Sequence, residues 1–496
     1  MKKLSAMSAL LCIVLVLQLL CVTGYATENT TAPAETVQQI LPEVSNEDLR
    51  AITVSSGCRT IEAQVPLGGN APMLKSAQSA FVFETNTNTA LYSYNPDIVV
   101  APGVLAKLVT AIVAIENEDL DKKLTVNSLS YKRLPSSAVR INAGLKEGEE
   151  MTLRDMLHYM IMTWANDAAL TIAESVAGSE EAFVQMMNQW AHDAGCENTK
   201  FTNCHGVSAP DAKTTARDMV RIYQKACRNR EFKELLATTA YTVAPTNKDD
   251  KEEQIKANNY LMEETIITKF NYDGVTTAFA PYGENYGAHL VCTAETGGMS
   301  FVIVVLGTVR EFASNGWQPT YYGNYEEAWE LLDFAFEGYK LCRLLHDGQS
   351  LYQFAVANGE NQVVAQSATA MDAILPVNAK MKNLLYKYNV KNGGLTAPIA
   401  KGQTIATLQI WYQNSCIAET DLQAMSEVRA ISTRDMTIRT GASGGGGSLG
   451  KILAFVGIVC LVILIPFVIY LIVNNVRRAL RQNRRRRRRR SRRRSR

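Results

Sequence analysis

The chain has 496 residues, 47% of them hydrophobic and 20% charged, so it is long enough for two or three folded units with a sizeable core. Its formal net charge of +3 hides a strong asymmetry, because fourteen arginines follow Val473 and three lysines flank the apolar segments near the two ends. The remaining 34 basic and 48 acidic residues, between about Thr27 and Gly450, give that portion a charge of about −14, which argues against nucleic-acid binding there.

The first 26 residues have the pattern of a secretory signal. Lys2 and Lys3 precede an apolar stretch from Leu10 to Leu20, and Gly24-Tyr25-Ala26 is a small-x-small cleavage sequence. A retained N-terminal anchor is the competing interpretation. Residues 27–72 are rich in Thr, Glu and Ala and have few aromatic residues, so we expect a flexible lead-in.

Two short β-strands are predicted where the composition changes, at Ala80–Glu84 and Thr89–Tyr94, with Asn86-Thr87-Asn88 as the tight turn between them. Pro102 then opens a helix, since proline is favoured in a first helical turn. This helix carries Lys107 in an otherwise apolar run. A buried ammonium needs a polar or anionic partner, and the alternative is a lysine that snorkels to water from an amphipathic helix.

Helices dominate the middle of the chain. Leu153–Met162 repeats apolar residues at helical spacing after a predicted N-cap at Thr152, and Thr215-Ala216-Arg217-Asp218 has the capping-box pattern before a further helix. His289–Glu295 and Met299–Gly307 then form a predicted strand pair. Strands at both ends of a helical region indicate an α+β domain with an antiparallel sheet.

The composition changes again after a predicted helical stretch at Tyr325–Leu345. Short alternating runs follow at Leu351–Val356, Thr404–Trp411 and Ala424–Ala430. Such runs are typical of a separate, small, all-β domain.

The C-terminal end has the pattern of a membrane anchor. Ile452–Val473 carries no charge over 22 residues, long enough to span a bilayer as a helix, and Gly441–Gly450 before it is a flexible linker. The arginines from Arg477 onward place the tail in the cytoplasm and the bulk of the chain outside the membrane. We expect the tail to bind anionic lipid headgroups. Nucleic acid is the alternative, although no aromatic residue interleaves with the arginines for base stacking.

Seven cysteines lie outside the signal and the apolar segment. They are Cys58, Cys196, Cys204, Cys227, Cys292, Cys342 and Cys416. None forms a CxxC or a metal-ligand spacing, no His, Asp or Glu cluster indicates a metal, and no cofactor is expected. An odd number in an exported protein leaves at least one thiol free or paired between chains, and the sequence leaves the other pairings open.

Several segments between Ser79 and Val428 resemble a single family. They are Asn166-Asp167-Ala168-Ala169, Gly178–Val184 with Met187-Asn188, Lys200–Asn203 with His205-Gly206, Thr215–Met219 and Ala397–Gln403. On these residues the chain is similar to the membrane-anchored D-alanyl-D-alanine carboxypeptidases, the low-molecular-weight penicillin-binding proteins of peptidase family S11. The resemblance implies a penicillin-binding/β-lactamase-like transpeptidase fold of the α+β class, with an antiparallel sheet and a helical region. It further implies a small β-sandwich domain, which Ala397–Gln403 would begin, and one C-terminal transmembrane helix.

The wider superfamily carries three motifs, S-x-x-K, S-x-N and K-T-G. Acyl transfer needs a hydroxyl nucleophile at a helix N-terminus and a neighbouring amine to take its proton. Serine and lysine three residues apart share a helix face, so the amine reaches the hydroxyl. When Lys107 is aligned with the family's lysine, Val104 stands at the nucleophile position, and its side chain has no lone pair with which to form an acyl-enzyme.

The other two motifs are damaged as well. When Asn166 is aligned with the family's asparagine, Trp164 replaces the serine, and we expect its indole to fill part of the pocket. Thr276, Thr277 and Ala278 stand at the Lys-Thr-Gly positions, so the cation is missing and one motif hydroxyl remains. Lys107 without its serine is expected to keep an ordinary protonated ammonium, tied to Asn166 or to backbone carbonyls.

A relocated nucleophile is the main rival within the enzyme class. Thr163 lies one residue before the second motif, but a one-residue slip turns a helical side chain by about 100°, so we expect it to face elsewhere. Thr110 lies nearly two turns beyond the nucleophile position, and Ser136 and Ser137 are expected in a turn beside Pro135. In its Asn-x-His-Gly context, His205 is expected to be a structural histidine rather than a base.

The sequence therefore predicts an exported, single-span pseudoenzyme of the S11 type. It would bind peptidoglycan stem peptides or scaffold cell-wall enzymes, with Lys107, Asn166 and Thr277 as the candidate ligand-binding residues. An active carboxypeptidase and a pure protein-interaction module remain as alternatives. The predicted domains are a signal peptide (1–26), a flexible lead-in (27–72), a carboxypeptidase-like domain (73–325), a connecting helix (326–345), a β-sandwich (346–435), a linker (436–450), a transmembrane helix (451–473) and a cytoplasmic tail (474–496).

Overall fold

The structure is a computed structural model that describes residues 63–64, 71–127, 142–207, 209, 211–262, 268–312, 314, 319–390 and 393–431. The predicted signal, linker, membrane span and arginine-rich tail lie outside these ranges. Within them, no helix is both long enough and apolar enough to cross a bilayer.

Seven α-helices lie in the described ranges. They are α1 (Ala106–Asn117), α2 (Leu153–Met162), α3 (Asn166–Ala177), α4 (Glu180–Asp193), α5 (Ala216–Ala226), α6 (Arg230–Ala237) and α7 (Gly323–Gly338). Short 3₁₀ turns are found at Gly103–Leu105, Thr268–Phe270 and Met381–Asn383.

Side-chain caps start several of these helices. The hydroxyls of Thr152 and Thr215 accept hydrogen bonds from the backbone N–H groups of Asp155 and Asp218, which satisfies one donor of each first turn. Both caps were predicted from the sequence and are confirmed. Gly178 ends α3 in the left-handed conformation, with φ of +79°, which glycine adopts without steric cost.

A central, mainly antiparallel sheet organises the first domain. Its strands are β1 (Ala63–Gln64), β2 (Ser79–Glu84), β3 (Thr89–Tyr94), β8 (Val275–Phe279), β9 (Tyr282–Gly283), β10 (Gly287–Thr296) and β11 (Met299–Thr308). Their order is β1-β3-β2-β11-β10-β8, with β9 paired to β10. The strand pair predicted at His289–Glu295 and Met299–Gly307 is therefore β10 with β11.

Short two-stranded ribbons accompany this sheet. They are β4 (Lys123–Thr125) with β5 (Glu150–Thr152), β6 (Ala240–Val243) with β7 (Glu253–Lys256), and β12 (Arg310–Phe312) with β13 (Pro319–Tyr322).

The sheet has an apolar core on each face. On one face, Phe81, Val302 and Val304 pack with helices α1 to α6. On the other, Val82 and Ile303 pack with α7. Consecutive strand residues point to opposite faces, and here both faces are buried. The sequences of β2 and β11 are therefore continuously apolar rather than alternating.

The predicted helix at 326–345 is wrong in its last seven residues. The helix α7 ends at Gly338, and Tyr339–Leu345 forms a strand, β14, that pairs antiparallel with Met371–Pro376, β18. Apolar residues in Tyr339–Leu345 fit a helix or a strand by pattern, and pairing with a segment distant in sequence decides between them.

The second domain is built from β-strands. Beside β14 and β18 it contains β15 (Ser350–Phe354), β16 (Val356–Ala357), β17 (Val363–Ser367), β19 (Leu384–Val390), β20 (Leu395–Thr396), β21 (Thr404–Tyr412) and β22 (Ser415–Ala424). Its largest sheet has the order β15-β17-β22-β21-β19.

Two sequence predictions for this domain need correction. Ala397–Gln403 does not begin the domain but connects β20 to β21 inside it. The strand expected at Ala424–Ala430 lies upstream, at Ser415–Ala424, and the following residues make only isolated bridges at Val428 and Ala430.

Candidate functional site: a closed cleft without a nucleophile

Val104 occupies the 3₁₀ turn that leads into α1, with 1% of its surface exposed. The sequence predicted a helix from Pro102 onward, whereas the α-helical hydrogen bonds start at Ala106. The position aligned with the nucleophile is therefore a buried hydrocarbon in a tight turn. A valine there offers no atom that could attack a carbonyl carbon.

Lys107, in the first turn of α1, is fully buried and does not snorkel. Its Nζ donates hydrogen bonds to Asn166 Oδ1 and to the carbonyl oxygen of His205, both at 2.6 Å. The contacts expected from the sequence, with Asn166 and a backbone carbonyl, are both present. They connect the first motif to the second.

The charge of Lys107 differs from the sequence expectation. Burial removes the ammonium from water and lowers the pKa of Lys107 from 10.5 to about 7, an effect that Cys204 and Asp167 oppose. Lys107 is thus divided between its charged and neutral forms near pH 7, rather than being an ordinary ammonium.

Asn166 begins α3 and is fully buried. The next residue, Asp167, accepts hydrogen bonds from the backbone N–H groups of Ala143, Gly144 and Leu145 at 3.0, 3.1 and 3.1 Å. Asp167 thus ties residues 143–145 to the start of α3 and fixes the backbone that carries Asn166.

Trp164 lies between α2 and α3 with φ of +61°, a left-handed conformation unusual for a bulky residue. Its half-buried side chain lines a crevice with Asn259, Ala278 and Phe279. The crevice has a volume of about 10 Å³, which is at the lower limit of the space that one water needs. The second and third motifs therefore meet here, with little room between them.

The third motif lies on β8, at one end of the described sheet order. Thr277 is buried, and its hydroxyl is 2.8 Å from the Tyr223 hydroxyl and 2.5 Å from the Thr293 hydroxyl. Thr276 is half-buried and lies 2.8 Å from the same Thr293 hydroxyl. The three motif positions hold two hydroxyls committed to neighbouring side chains and no cation.

The three candidate ligand-binding residues, Lys107, Asn166 and Thr277, are all fully buried. In this conformation none of them offers a polar atom to a molecule in solution. Their assignment as ligand contacts stays a prediction and requires that the cleft open.

The hydroxyls proposed as relocated nucleophiles are used structurally. Thr163 ends α2 and donates to the carbonyl of Tyr159 at 2.8 Å, while the buried Thr110 donates to the carbonyl of Cys204 at 2.6 Å. Ser136 and Ser137 lie outside the described residues. Both threonine hydroxyls donate to backbone carbonyls rather than to a basic side chain, so neither resembles an activated nucleophile.

His205 has the structural role expected from the sequence. It is buried, and its Nδ1 accepts a hydrogen bond from the N–H of Val207 at 3.1 Å. Burial and the nearby Lys107 lower the pKa of His205 to about 3, so the imidazole is neutral at physiological pH. Its carbonyl, rather than its ring, binds Lys107.

Tyr286 was not predicted as a site residue; it lies in the turn between β9 and β10. Its ring lies against Gly103, the residue before Val104, and stacks on His289 with a centroid distance of 5.0 Å. The available signal was weak and consisted of the two glycines, Gly103 and Gly283, that leave room for the ring. Neither hydrophobic period nor motif spacing links residues so distant in sequence.

None of the cysteines that the structure describes forms a disulfide. They are Cys196, Cys204, Cys227, Cys292, Cys342 and Cys416. Cys58 lies outside the described ranges. In those ranges, no group of three or more His, Cys, Asp or Glu side chains is placed to hold a metal.

A central sheet between a multi-helix layer and α7, followed by a β-rich domain, places the chain in the penicillin-binding, transpeptidase-like fold class. Lys107 and Asn166 meet at its cleft, and Trp164 meets β8. Residues 69–309 match the peptidase family S11 profile, described as D-alanyl-D-alanine carboxypeptidase, and residues 339–430 match the C-terminal domain of penicillin-binding protein 5. The chain belongs to the S11 D-alanyl-D-alanine carboxypeptidase family.

Individual proteins agree with this placement. The chain is 27% identical to the D-alanyl-D-alanine carboxypeptidase DacF of Bacillus subtilis over 71% of its length and 86% of the relative. It is also 27% identical to the carboxypeptidase DacA of Haemophilus influenzae, over 73% of its length and 87% of the relative. The crystal structure of penicillin-binding protein 5 from Haemophilus influenzae superposes with a TM-score of 0.58 at 25% identity, covering 73% of this chain and all of that one.

Proposed function

We propose that this chain is a catalytically inactive member of its family, which binds peptidoglycan stem peptides or scaffolds cell-wall enzymes. The observation that carries the proposal is Val104, a buried hydrocarbon at the position of the nucleophile. Removing a covalent nucleophile eliminates the acyl-enzyme pathway itself, whereas losing one auxiliary group leaves residual rate.

The fate of Lys107 supports this proposal. A general base must reach the proton that it takes, yet the Lys107 amine is fully buried and donates to Asn166 and the His205 carbonyl. Its pKa of about 7 would suit a base. With Val104 in place of the serine, the amine has no nucleophile hydroxyl there from which to take a proton.

We further propose that the protein acts at the outer face of a bacterial membrane. The predicted signal at 1–26 would export the chain, the apolar run at 451–473 would anchor it, and the arginines of 474–496 would remain in the cytoplasm. Several arginines near the inner leaflet would add attraction to anionic lipid, on the order of 1 kcal/mol each.

Covalent labelling with a fluorescent penicillin tests the loss of catalysis. We expect no labelled band from the full-length protein in membranes, while an active D-alanyl-D-alanine carboxypeptidase assayed in parallel is labelled. A covalent adduct on any residue of this chain would contradict the proposal. D-alanine release from a stem pentapeptide, abolished by Thr163→Val or Thr110→Val, would instead establish the displaced-nucleophile alternative.

Binding of muropeptides separates the remaining possibilities. Saturable binding that Lys107→Ala and Asn166→Ala weaken would locate the ligand in the old cleft. A dissociation constant unchanged by both substitutions would place binding elsewhere, and no binding at all would favour a protein scaffold.

A further inference from the structure

Tyr286 fits a slot made by two glycines. A Cβ atom built on Gly103 would come within 2.5 Å of the Tyr286 ring, and one built on Gly283 within 2.3 Å. Contacts this short are not tolerated, so the ring occupies its position only because both residues lack a side chain. Gly103 directly precedes Val104, which brings the ring to the first motif.

The ring of Tyr286 stacks on the imidazole of His289, which is held in place by its own hydrogen bonds. The two rings are nearly parallel, with an interplanar angle of 20°. Both nitrogens of His289 are held, since Nε2 lies 3.0 Å from the carbonyl oxygen of Ala101 and Nδ1 accepts from the N–H of Gly307 at 2.9 Å. Burial lowers the pKa of His289 to about 4, so it stays neutral and donates from Nε2 alone. The ring of Tyr286 therefore packs between fixed elements.

The ring of Tyr286 lies against Gly103 and so beside the start of the first motif. Burial raises the pKa of Tyr286, so its phenol stays protonated at physiological pH. In acyl-transfer enzymes the backbone N–H of the nucleophile commonly helps to bind the carbonyl oxygen under attack. The Tyr286 ring lies against the residue that precedes this donor.

We infer that Tyr286 is a built-in occupant of the cleft, which fills the space beside residues 103 and 104 and must move before a ligand can enter. This inference rests on the proposed function, because it describes the regulation of the same site. The ligand that competes with Tyr286 is a peptide carbonyl, as a D-Ala-D-Ala stem peptide presents. The phenol imitates such a group with a polar oxygen on a flat, apolar body.

The turn that carries Tyr286 closes the short β9–β10 pair, in which Gly283 pairs with Gly287. Gly283 and Gly287 bracket it, and Gly287 has φ of +81°, a conformation that glycine leaves and enters at low cost. Glu284 and Asn285 at its tip are exposed. If only a small fraction of molecules is open, the apparent affinity for a ligand equals the intrinsic affinity multiplied by that fraction. Removing the ring should therefore raise the apparent affinity.

The reactivity of a cysteine introduced at position 104 measures whether Tyr286 blocks access to the cleft. In the full-length Val104→Cys variant, we expect iodoacetamide to alkylate the new thiol slowly. Mass spectrometry of the peptide that contains residue 104 measures the rate. Adding Tyr286→Ala should raise that rate at least about tenfold. Tyr286→Phe keeps the ring and should leave the rate slow. So should Tyr282→Ala, which removes a tyrosine of the same hairpin whose ring lies against Phe312 and Arg310.

Three results would overturn the inference. These are rapid alkylation of Val104→Cys alone, no acceleration by Tyr286→Ala, or an equal acceleration by Tyr282→Ala, which would indicate general loosening. Cooperative thermal unfolding of each variant confirms that it is folded. If the alanine variant fails this check, Tyr286→Leu, which keeps an apolar side chain on His289, takes its place, and a several-fold acceleration is expected.

Peptide binding separates this inference from the proposed function. With diacetyl-L-Lys-D-Ala-D-Ala as probe, we expect Tyr286→Ala to bind at least about tenfold more tightly than the unsubstituted chain, with Tyr282→Ala unchanged. If the thiol becomes reactive but no variant binds the peptide, closure by Tyr286 stands and the stem-peptide ligand is refuted. If the thiol stays protected in Tyr286→Ala, closure is refuted whatever the peptide does.

Discussion

On the helical side of the cleft, Lys107 keeps its amine and two hydrogen bonds at 2.6 Å, whereas on the sheet side Thr276 stands where the family's lysine would be. The sheet side is closed by hydroxyls, with Thr277 bonded to Tyr223 and Thr293. A buried amine with polar partners is costly to remove, because its partners would remain behind in an apolar site. A cation that served only a ligand has no such partners, so its loss leaves folding intact.

The largest expected effect tests the structural role of Lys107. Lys107→Met removes the donor shared by Asn166 Oδ1 and the His205 carbonyl. The change is to be measured at pH 10, where the amine is neutral in the folded chain and its lowered pKa costs little stability. There we expect unfolding to become easier by roughly 2–6 kcal/mol, at about 1–3 kcal/mol for each of the two buried acceptors. Urea denaturation measures this change. The control is Lys122→Met, an exposed lysine paired with Glu118, which should cost less than about 0.5 kcal/mol. Equal losses in both variants would mean that the buried hydrogen bonds contribute nothing.

The next effect concerns pH. The pKa of Lys107 is about 7 in the folded chain and about 10.5 when exposed, so between these values the unfolded chain binds more protons. The free energy of unfolding of the unsubstituted chain, relative to Lys107→Met, should therefore rise with pH by up to about 1.4 kcal/mol per pH unit. Denaturation of both proteins from pH 7 to 10 measures the slope. A flat difference would show that Lys107 keeps an ordinary pKa.

A smaller loss is expected on the sheet side. Thr277→Val deprives the buried Tyr223 hydroxyl of a partner at 2.8 Å, at an expected cost of about 1–2 kcal/mol in unfolding free energy. Thr277→Ser keeps the hydroxyl and should recover most of that loss. If serine is as destabilising as valine, the methyl group that serine lacks contributes as much as the hydroxyl that valine lacks.

The smallest effect is expected at Thr276. Its hydroxyl is half-buried, so water can replace the bond to Thr293 after Thr276→Val, and the change in unfolding free energy should stay below about 0.5 kcal/mol. A loss as large as that of Thr277→Val would show that the two threonines form one cooperative network. The sheet side would then resemble the helical side.

Local signals predicted much of the fold. Thr152 and Thr215 were recognised as caps because a cap needs only a few consecutive residues. The helix expected through Leu345 failed because Tyr339–Leu345 gains its strand conformation from pairing with Met371–Pro376. Intrinsic preference is a weak guide when such pairing competes with it.

The candidate site was predictable only in part. Motif spacing located Lys107 and Asn166 and led to the contact between them. It did not reveal the second acceptor, the carbonyl of His205, nor that the candidate ligand contacts would be buried. Those facts depend on how the loop carrying His205 and the turn carrying Tyr286 pack on the first motif, which no sequence period records.

The sequence by itself determined which atoms are present, and therefore that position 104 carries a hydrocarbon and no nucleophile. It also determined the caps and the apolar runs, since these depend on neighbours along the chain. Only the tertiary structure decided that the Lys107 amine has a pKa of about 7 and that Tyr286 lies against Gly103. Burial and contact between distant segments produce both properties, and these arise only when the chain has folded.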